Sequence, residues 1–350
     1  MNKQNKSNTR RKKQWPIAWC IVIDVFIAAL ALFVFSLYYF ILPTDLSQHT
    51  VDLPVPSDYA EAFNDTPKSA EPAPSAAQTA PQTTGSPGVS ETPADTSAWG
   101  AKFPGKFTDG KVEKDKYSYK SANVSINIQK EDKDGVVYFV ADVYVKDLKY
   151  FKTALARDKF GKGLNEPVKD MAKRHKAVLA VNGDFYSLNA GPVVRNGKMN
   201  PSRDKGRDVL VMKYDGTMQT FTKDEFDLDK SIDEGLYQLW QFGPMLLKDG
   251  KPMEDFNTTD KIKKDTNPRT AVGYYEPGHY CLVVVDGRQP RYSDGIGLKE
   301  LSKIFYDLGC KAAFNMDGGE SSEMVFNGKT VNTPFENGRD VSDIILITDE

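Results

Sequence analysis

Histidine is scarce in this chain: three in 350 residues, at positions 49, 175 and 279. His279 and Cys281 alone come near a metal-ligand spacing, and two ligands are too few for a zinc site. A serine hydrolase would need a histidine beside a Gly-x-Ser-x-Gly elbow, and that elbow is missing. So is the Gly-x-x-x-x-Gly-Lys-Ser/Thr loop that cradles nucleotide phosphates. Charge is nearly balanced, with a formal net charge of -2, which argues against a nucleic-acid surface. Cysteine is limited to Cys20, Cys281 and Cys310. The last two stand among apolar neighbours. A disulfide and a pair of buried thiols both fit that setting, because spacing alone does not bring them together. No EF-hand spacing occurs; Ca²⁺ or Mg²⁺ in an oxygen-rich loop stays open, and no cofactor is required by the sequence.

Long apolar runs are also rare, and the one present is near the N-terminus. Residues 1–16 contain Lys3, Lys6, Arg10, Arg11, Lys12 and Lys13 and no acid. Residues 17–42 follow, with Asp24 as their only charged residue. At ~1.5 Å per residue this is a helix of about 39 Å, enough to cross a hydrocarbon core of about 30 Å. The basic flank predicts a cytoplasmic N-terminus and an extracellular C-terminal part. No clear small-x-small cleavage pattern follows Tyr38-Tyr39-Phe40, so an uncleaved anchor is preferred to a signal peptide. Asp24 is read as reaching toward cytoplasmic water. Residues 43–110 read as a linker. Thr44 to Ala98 holds eight prolines and only Tyr59 and Phe63 as aromatics, too little apolar surface to offset the cost of ordering.

The remaining 111–350 is long enough for a core of its own. Val124–Ile128 and Val136–Val145 flank the turn signal Asp134-Gly135 and predict a hairpin. Asn165 is a candidate cap for a helix opening at Glu166-Pro167. Leu298, Leu301, Ile304, Phe305 and Leu308 recur at helical spacing, and Gly309 suits the position just past that helix. The pattern predicts an α+β domain: a twisted mixed sheet packed with helices. Three apolar strands stop in polar, glycine-rich corners: Asn182-Gly183-Asp184, Asp286-Gly287-Arg288 and Asn315-Met316-Asp317-Gly318-Gly319. One such corner is an ordinary turn. Three, each with a carboxylate or cation beyond what a turn needs, suggest a common rim where a site is built.

With histidine set aside, the available chemistry is carboxylates, arginines, amides and glycine backbone. Asp184, Asp286 and Asp317 stand at strand ends; paired carboxylates suit cleavage of a glycosidic bond. Arg269, Arg288 and Arg339 lie in polar turns, and arginine forks suit a phosphate or carboxylate. Surface ion pairing is an equally good account of either Arg269 or Arg288 taken alone. Glycines would let backbone N–H groups approach an anion. The combination fits a sugar with an anionic leaving group.

These residues resemble a known family. Asn-Pro-Arg-Thr-Ala-Val-Gly (267–273), Val-Val-Val-Asp-Gly-Arg (283–288), the stretch 308–322 around Asp317 and the closing stretch 338–347 look like the ordered motifs of the phosphodiester glycosidase family. Residues 181–186 and 242–250 look like two more. The resemblance covers about residues 117–347. It implies hydrolysis of the bond between a sugar's anomeric carbon and a phosphodiester, in bacterial members in connection with exopolysaccharide or envelope glycans. By motif it singles out Asp317, Asp184 and Asp286. The expected shared rim and the lack of usable histidine make Asp317 the catalytic candidate, as a general acid/base or by orienting one, with Asp184 or Asp286 as its partner. The resemblance also singles out Asn182, Gly183, Arg269, Arg288, Asn315, Gly318, Gly319, Ser321, Ser322 and Arg339 as candidates for substrate binding, with loop fixing an equally good role for Asn315, Ser321 and Ser322. Glu320 stands where the family usually has a third glycine, which bears on substrate choice. The implied partners are a carbohydrate or sugar-phosphate substrate and, through the N-terminal helix, a membrane. A non-catalytic glycan-binding module and a structural partner in polysaccharide assembly are the competing readings.

Overall fold

The computed structural model describes residues 17–36, 43–63, 99–186, 191–200, 207–259, 262–263 and 265–350. The chain divides into two units, Met1–Thr44 and Asp45–Glu350.

In the first unit Ile17–Ser36 is an α-helix, and side chains such as Phe26, Leu32 and Phe33 are exposed around it. Residues 37–42, which complete the expected span, lie outside the described residues, as do 1–16. Among the described residues no helix is long and apolar enough to cross a membrane.

The second unit is sheet-rich with few helices. Its largest sheet has nine strands, in the order Lys251–Pro252, Met245–Lys248, Ala312–Asn315, Arg269–Glu276, His279–Val285, Val136–Val145, Val124–Lys133, Ser118–Lys120, Glu113–Lys114. A second sheet orders Lys329–Thr330, Met324–Phe326, Leu179–Asn182, Asp343–Ile347 and Phe151–Leu155. The pairings within both are antiparallel, where a mixed sheet is expected from the sequence. The reason lies in the helical crossovers, one in each sheet, which each step over one strand. Chain leaving strand His279–Val285 passes through helix Leu298–Asp307 and steps over one strand. It returns beside Arg269–Glu276, which runs the other way. Helix Val168–Arg174 carries the chain from Phe151–Leu155 over Asp343–Ile347 to Leu179–Asn182 in the same way.

Strand His279–Val285 shows how the layers form. Tyr280, Leu282 and Val284 enter a core shared with Leu179, Val181, Ile345 and Ile347 of the five-stranded sheet. Cys281, Val283 and Val285 point to the opposite face and pack under Leu298, Leu301 and Phe305. Ala180, Ile344 and Leu346 pack with Val168, Met171 and Ala172 of helix Val168–Arg174 on the far side. The result is a helix–sheet–sheet–helix sandwich in which the central strands are apolar on both faces. Each such buried Val, Leu or Phe contributes ~1.5–3 kcal/mol. A six-stranded sheet flanks this sandwich, and its Leu210, Met212, Tyr237 and Trp240 join the shared core.

Two local expectations meet different outcomes. The Asp134-Gly135 hairpin forms, with both residues at positive φ (55° and 77°), and Gly309 ends its helix at φ 82°. Asn165 does not cap: helix Val168–Arg174 has Pro167 before it with no side-chain cap, and Asn165 Oδ1 is buried without a hydrogen-bond partner.

The ends of the 43–110 stretch carry structure that its composition conceals. Leu53 N donates to Gly197 O at 2.8 Å, and Val51–Asp52 pairs with strand Lys198–Asn200. Tyr59 and Phe63, the two aromatics in an otherwise proline-rich segment, pack on Tyr214 at ring distances of 6.1 and 5.0 Å. Trp99 is buried against Gly216 and Gly278. A few large side chains suffice here because the domain offers ready-made pockets and an open strand edge. Residues 64–98 lie outside the described residues.

Candidate active site

The rim predicted from three polar corners forms, although its strands are not neighbours in one sheet. In the nine-stranded sheet Asn315 pairs with Ala271, and Arg269 pairs with Val285. Arg269, Asp286 and Asp317 therefore emerge at the same sheet edge. The third corner arrives from the five-stranded sheet: Asp317 N donates to Gly183 O at 3.1 Å, and Asn182 Nδ2 donates to Asp317 O at 2.7 Å. Asn182 Oδ1 accepts from Thr270 Oγ1 at 2.6 Å, so this amide stitches the two sheets together beneath the site.

Asp317 is buried and held by three donors. Its Oδ2 accepts from Ser321 Oγ at 2.5 Å and Arg339 Nη2 at 2.8 Å, and its Oδ1 from Gly318 N at 2.9 Å. Burial pushes its carboxyl above the ordinary value, against the pull of Ser321, Arg339 and Gly318. Arg339 also donates Nε to Ser321 Oγ at 2.6 Å and lies 5.4 Å from the Phe185 ring centre. Its side chain is 40% exposed, so the Asp317–Ser321–Arg339 cluster reaches solvent on one side.

Asp286 and Asp184 are differently employed. Asp286 accepts from Asn332 Nδ2 at 2.8 Å, Tyr292 OH at 2.9 Å and Thr333 N at 3.0 Å. Burial raises its carboxyl too. Asn332 Nδ2 also donates to Ser322 O at 3.0 Å, so Asn332 links Asp286 to the Asp317 loop. Asp184 accepts from Gln241 N at 2.9 Å, Phe242 N at 2.6 Å and Arg195 Nη2 at 3.1 Å. These bonds fix the chain leading into Gly243-Pro244, whose Gly243 O accepts from Asn315 Nδ2 at 2.8 Å. Both carboxylates are anchors of loops that border the rim.

Neither Arg269 nor Arg288 makes an ion pair with a carboxylate among the described residues. Arg269 is buried and donates to the carbonyls of Ile296 (3.2 Å), Ile262 (3.1 Å) and Asp265 (3.0 Å). Burial and then the neighbouring Arg288 pull its guanidinium down to about 10. Arg288 sits at φ 56° and holds Asn267 Oδ1 with Nε (3.0 Å) and Nη2 (2.7 Å). Its guanidinium lies against Gly319, where an added Cβ would stand 3.3 Å from Nη1. Two cations thus border the Asp317 loop with no direct carboxylate partner among the described residues, although Asp265 and Glu300 act on Arg269 from a distance.

The glycines serve packing rather than presenting donors. Gly318 N is taken by Asp317 Oδ1, and Gly319 N donates to Pro268 O at 3.0 Å. A Cβ on Gly318 would lie 2.9 Å from Pro268 O, and Gly319 has φ 67°. Buried hydrogen-bonding capacity remains instead on Asn315 Oδ1 and Ser322 Oγ, which have no partner. Glu320 is partly exposed, and its carboxylate makes no ion pair or hydrogen bond among the described residues; its backbone O accepts from Arg339 N at 3.1 Å. Among the described residues no group of three or more His, Cys, Asp and Glu side chains is placed to hold a metal ion.

Asp343 and Arg195 are the residues that sequence reasoning missed. Arg195 is 3% exposed and donates Nε to Asp343 at 2.7 Å while its Nη2 holds Asp184. Its Nη1 donates to Val194 O and Leu239 O. Asp343 is fully buried, and burial pushes it up to about 7 despite Arg195. A charged residue opening the otherwise apolar strand Asp343–Ile347 was the available signal. Asp343 also explains Gly183: a Cβ there would lie 2.5 Å from Asp343 Oδ1. Gly183→Ala is expected to destabilise the domain by ~1–3 kcal/mol through overpacking; a thermal melt beside the unmodified protein checks this.

Residues 175–348 match the family model described as phosphodiester glycosidase, so the chain carries a domain of that family. Among its relatives, the SPbeta prophage-derived uncharacterized protein YomE of Bacillus subtilis (strain 168) is 34% identical over 180 residues, covering 49% of this chain and 28% of that protein. The human N-acetylglucosamine-1-phosphodiester alpha-N-acetylglucosaminidase is 26% identical over 189 residues, covering 49% of this chain and 36% of the human protein. The chain thus spans only about a third of the length of these curated relatives. The zebrafish enzyme of the same name, solved as a catalytic domain auto-inhibited by its pro-peptide, shares the fold. Its TM-score is 0.51 at 20% identity, covering 70% of this chain and 86% of that one.

Proposed function

We propose that the domain hydrolyses the glycosidic bond of a sugar-1-phosphodiester, N-acetylglucosamine-1-phosphodiester being the first substrate to try because it is the one named in the family's human member. The observation that carries the reading is the charge arrangement of the rim: a buried, solvent-reaching Asp317 beside two arginines with no direct carboxylate partner among the described residues. In this scheme Arg288 and Arg269 attract the phosphate, Arg288 by direct contact and Arg269 by its field. Asp317 accepts the proton of an attacking water as that water bonds to the anomeric carbon. The C1–O bond breaks, and the electron pair leaves with the phosphate. A phosphate is a weakly basic leaving group and needs little help from an acid, so one good base suffices. Ser321 and Arg339 hold Asp317 in place, while the buried Asn315 helps fix the loop through its bond to Gly243 O. Asp184 and Asp286 fix the loops. Glu320 limits which phosphodiesters fit.

Arg288→Ala is expected to raise KM about tenfold, the ~1.5 kcal/mol of a charge-assisted hydrogen bond, with kcat little changed. Steady-state kinetics on the sugar-1-phosphodiester measure this; an unchanged KM removes Arg288 from phosphate binding.

The same proposal places the domain outside the cell on a membrane anchor, where envelope or exopolysaccharide glycans would be the substrates. Its support is the basic flank of residues 1–16 and the exposed apolar side chains of helix Ile17–Ser36. The full-length chain should stay with membranes after alkaline carbonate washing, and its domain should be open to protease added outside intact cells. Release by carbonate, or protection in intact cells, refutes this placement.

A further inference from the structure

Cys281 and Cys310 take no part in the rim. Cys281 lies inside strand His279–Val285, and Cys310 precedes strand Ala312–Asn315. Both are buried free thiols, and their Sγ atoms are 3.6 Å apart. The Tyr275 hydroxyl reaches both sulfurs. Opposite them Gly273 leaves room for sulfur: a Cβ there would stand 2.6 Å from Cys281 Sγ and 2.7 Å from Phe305. From 3.6 Å, drawing the sulfurs to the ~2.0 Å of a disulfide requires about 1.6 Å of closure.

We infer that Cys281 and Cys310 form a structural disulfide when the chain folds in the presence of a thiol–disulfide oxidant. The two thiols lose two protons and two electrons, and one disulfide of the oxidant, a small-molecule disulfide or an oxidoreductase, is reduced to two thiols. Burial pushes the Cys281 thiol well up, and a protonated thiol is a poor nucleophile. The exchange therefore belongs to folding, before the core closes over the pair. The bond joins the strand that delivers Asp286 to the one that delivers Asp317, at the ends away from the rim. It acts on the stability of the frame and leaves the chemistry of the site alone, so this inference stands whatever the domain's substrate.

The full-length protein, unfolded in denaturant, is refolded in a mixture of reduced and oxidised glutathione and quenched with acid. It is then alkylated in denaturant and mapped by peptide mass. The expected result is alkylated Cys20 and a linked Cys281–Cys310 peptide two hydrogens lighter than the sum of its parts. A second reading uses thermal melting. The oxidised protein should melt higher than the same protein treated with reductant, and Cys281→Ala/Cys310→Ala should melt no higher than the reduced form. Alkylation or glutathione on Cys281 and Cys310, linkage of either to Cys20, or equal melting of oxidised and reduced protein overturns the inference.

Discussion

Asp317→Asn is expected to lower kcat on a sugar-1-phosphodiester by ~10²–10⁴, the usual worth of a positioned acid or base, with little change in melting temperature. The asparagine keeps the shape of the carboxyl; its one oxygen can accept either from Gly318 N or from Ser321 and Arg339, which the two carboxylate oxygens of Asp317 serve separately. Removing a charge from a buried position offsets part of what is lost. The pH profile carries the sign of the mechanism. Burial holds the Asp317 carboxyl above its ordinary range, so the base form gathers only as pH rises through that raised value. The acidic limb of kcat/KM should therefore lie above the usual carboxylate range, and it should vanish from any residual activity of the variant. An Asn variant with full activity removes Asp317 from the chemistry.

Arg195→Met is expected to cost ~3–5 kcal/mol of stability, the toll of leaving a buried ion cluster without one partner. Methionine fills much of the volume but leaves Asp184 and Asp343, 2% and 0% exposed, facing each other without a cation. The loss should depend on pH in a definite direction. Asp343 in the folded protein is already pushed up to about 7, far above its ordinary value of about 3.9. A carboxyl raised by folding lends its stability in full below the ordinary value and loses it as pH rises through the folded one. In the unmodified protein this contribution fades between about 4 and about 7. Without Arg195 the folded value rises further, so the variant's deficit should be larger at pH 8 than at pH 5. Urea unfolding of both proteins at the two pH values measures it; a deficit independent of pH contradicts the cluster's role.

Much of this frame is legible in the sequence because local rules act strongly there. Asp134-Gly135 closes a hairpin, Gly309 ends a helix, and apolar strands run into polar corners. The rim itself follows from those corners. Long-range packing is less legible. Nothing local separates Asp286, which is satisfied by the distant Asn332 and Thr333, from Asp317, which faces solvent through Arg339. The glycines of the Asp317 loop read as donors to an anion, yet their N–H groups are spent on Asp317 and Pro268. Asp343 was hidden because its partner Arg195 stands 148 residues away. Tyr59 and Phe63 look stranded in a proline-rich linker until the pocket around Tyr214 is seen.

The most direct test of the proposed activity is hydrolysis of a sugar-1-phosphodiester in ¹⁸O-labelled water, following both sugar release and the oxygen isotope in the phosphate product. A glycosidase breaks the bond between the anomeric carbon and oxygen. The expected result is therefore sugar release with an unlabelled phosphomonoester, slowed by the same ~10²–10⁴ in Asp317→Asn. Label in the phosphate, or binding of the substrate without turnover, would contradict it.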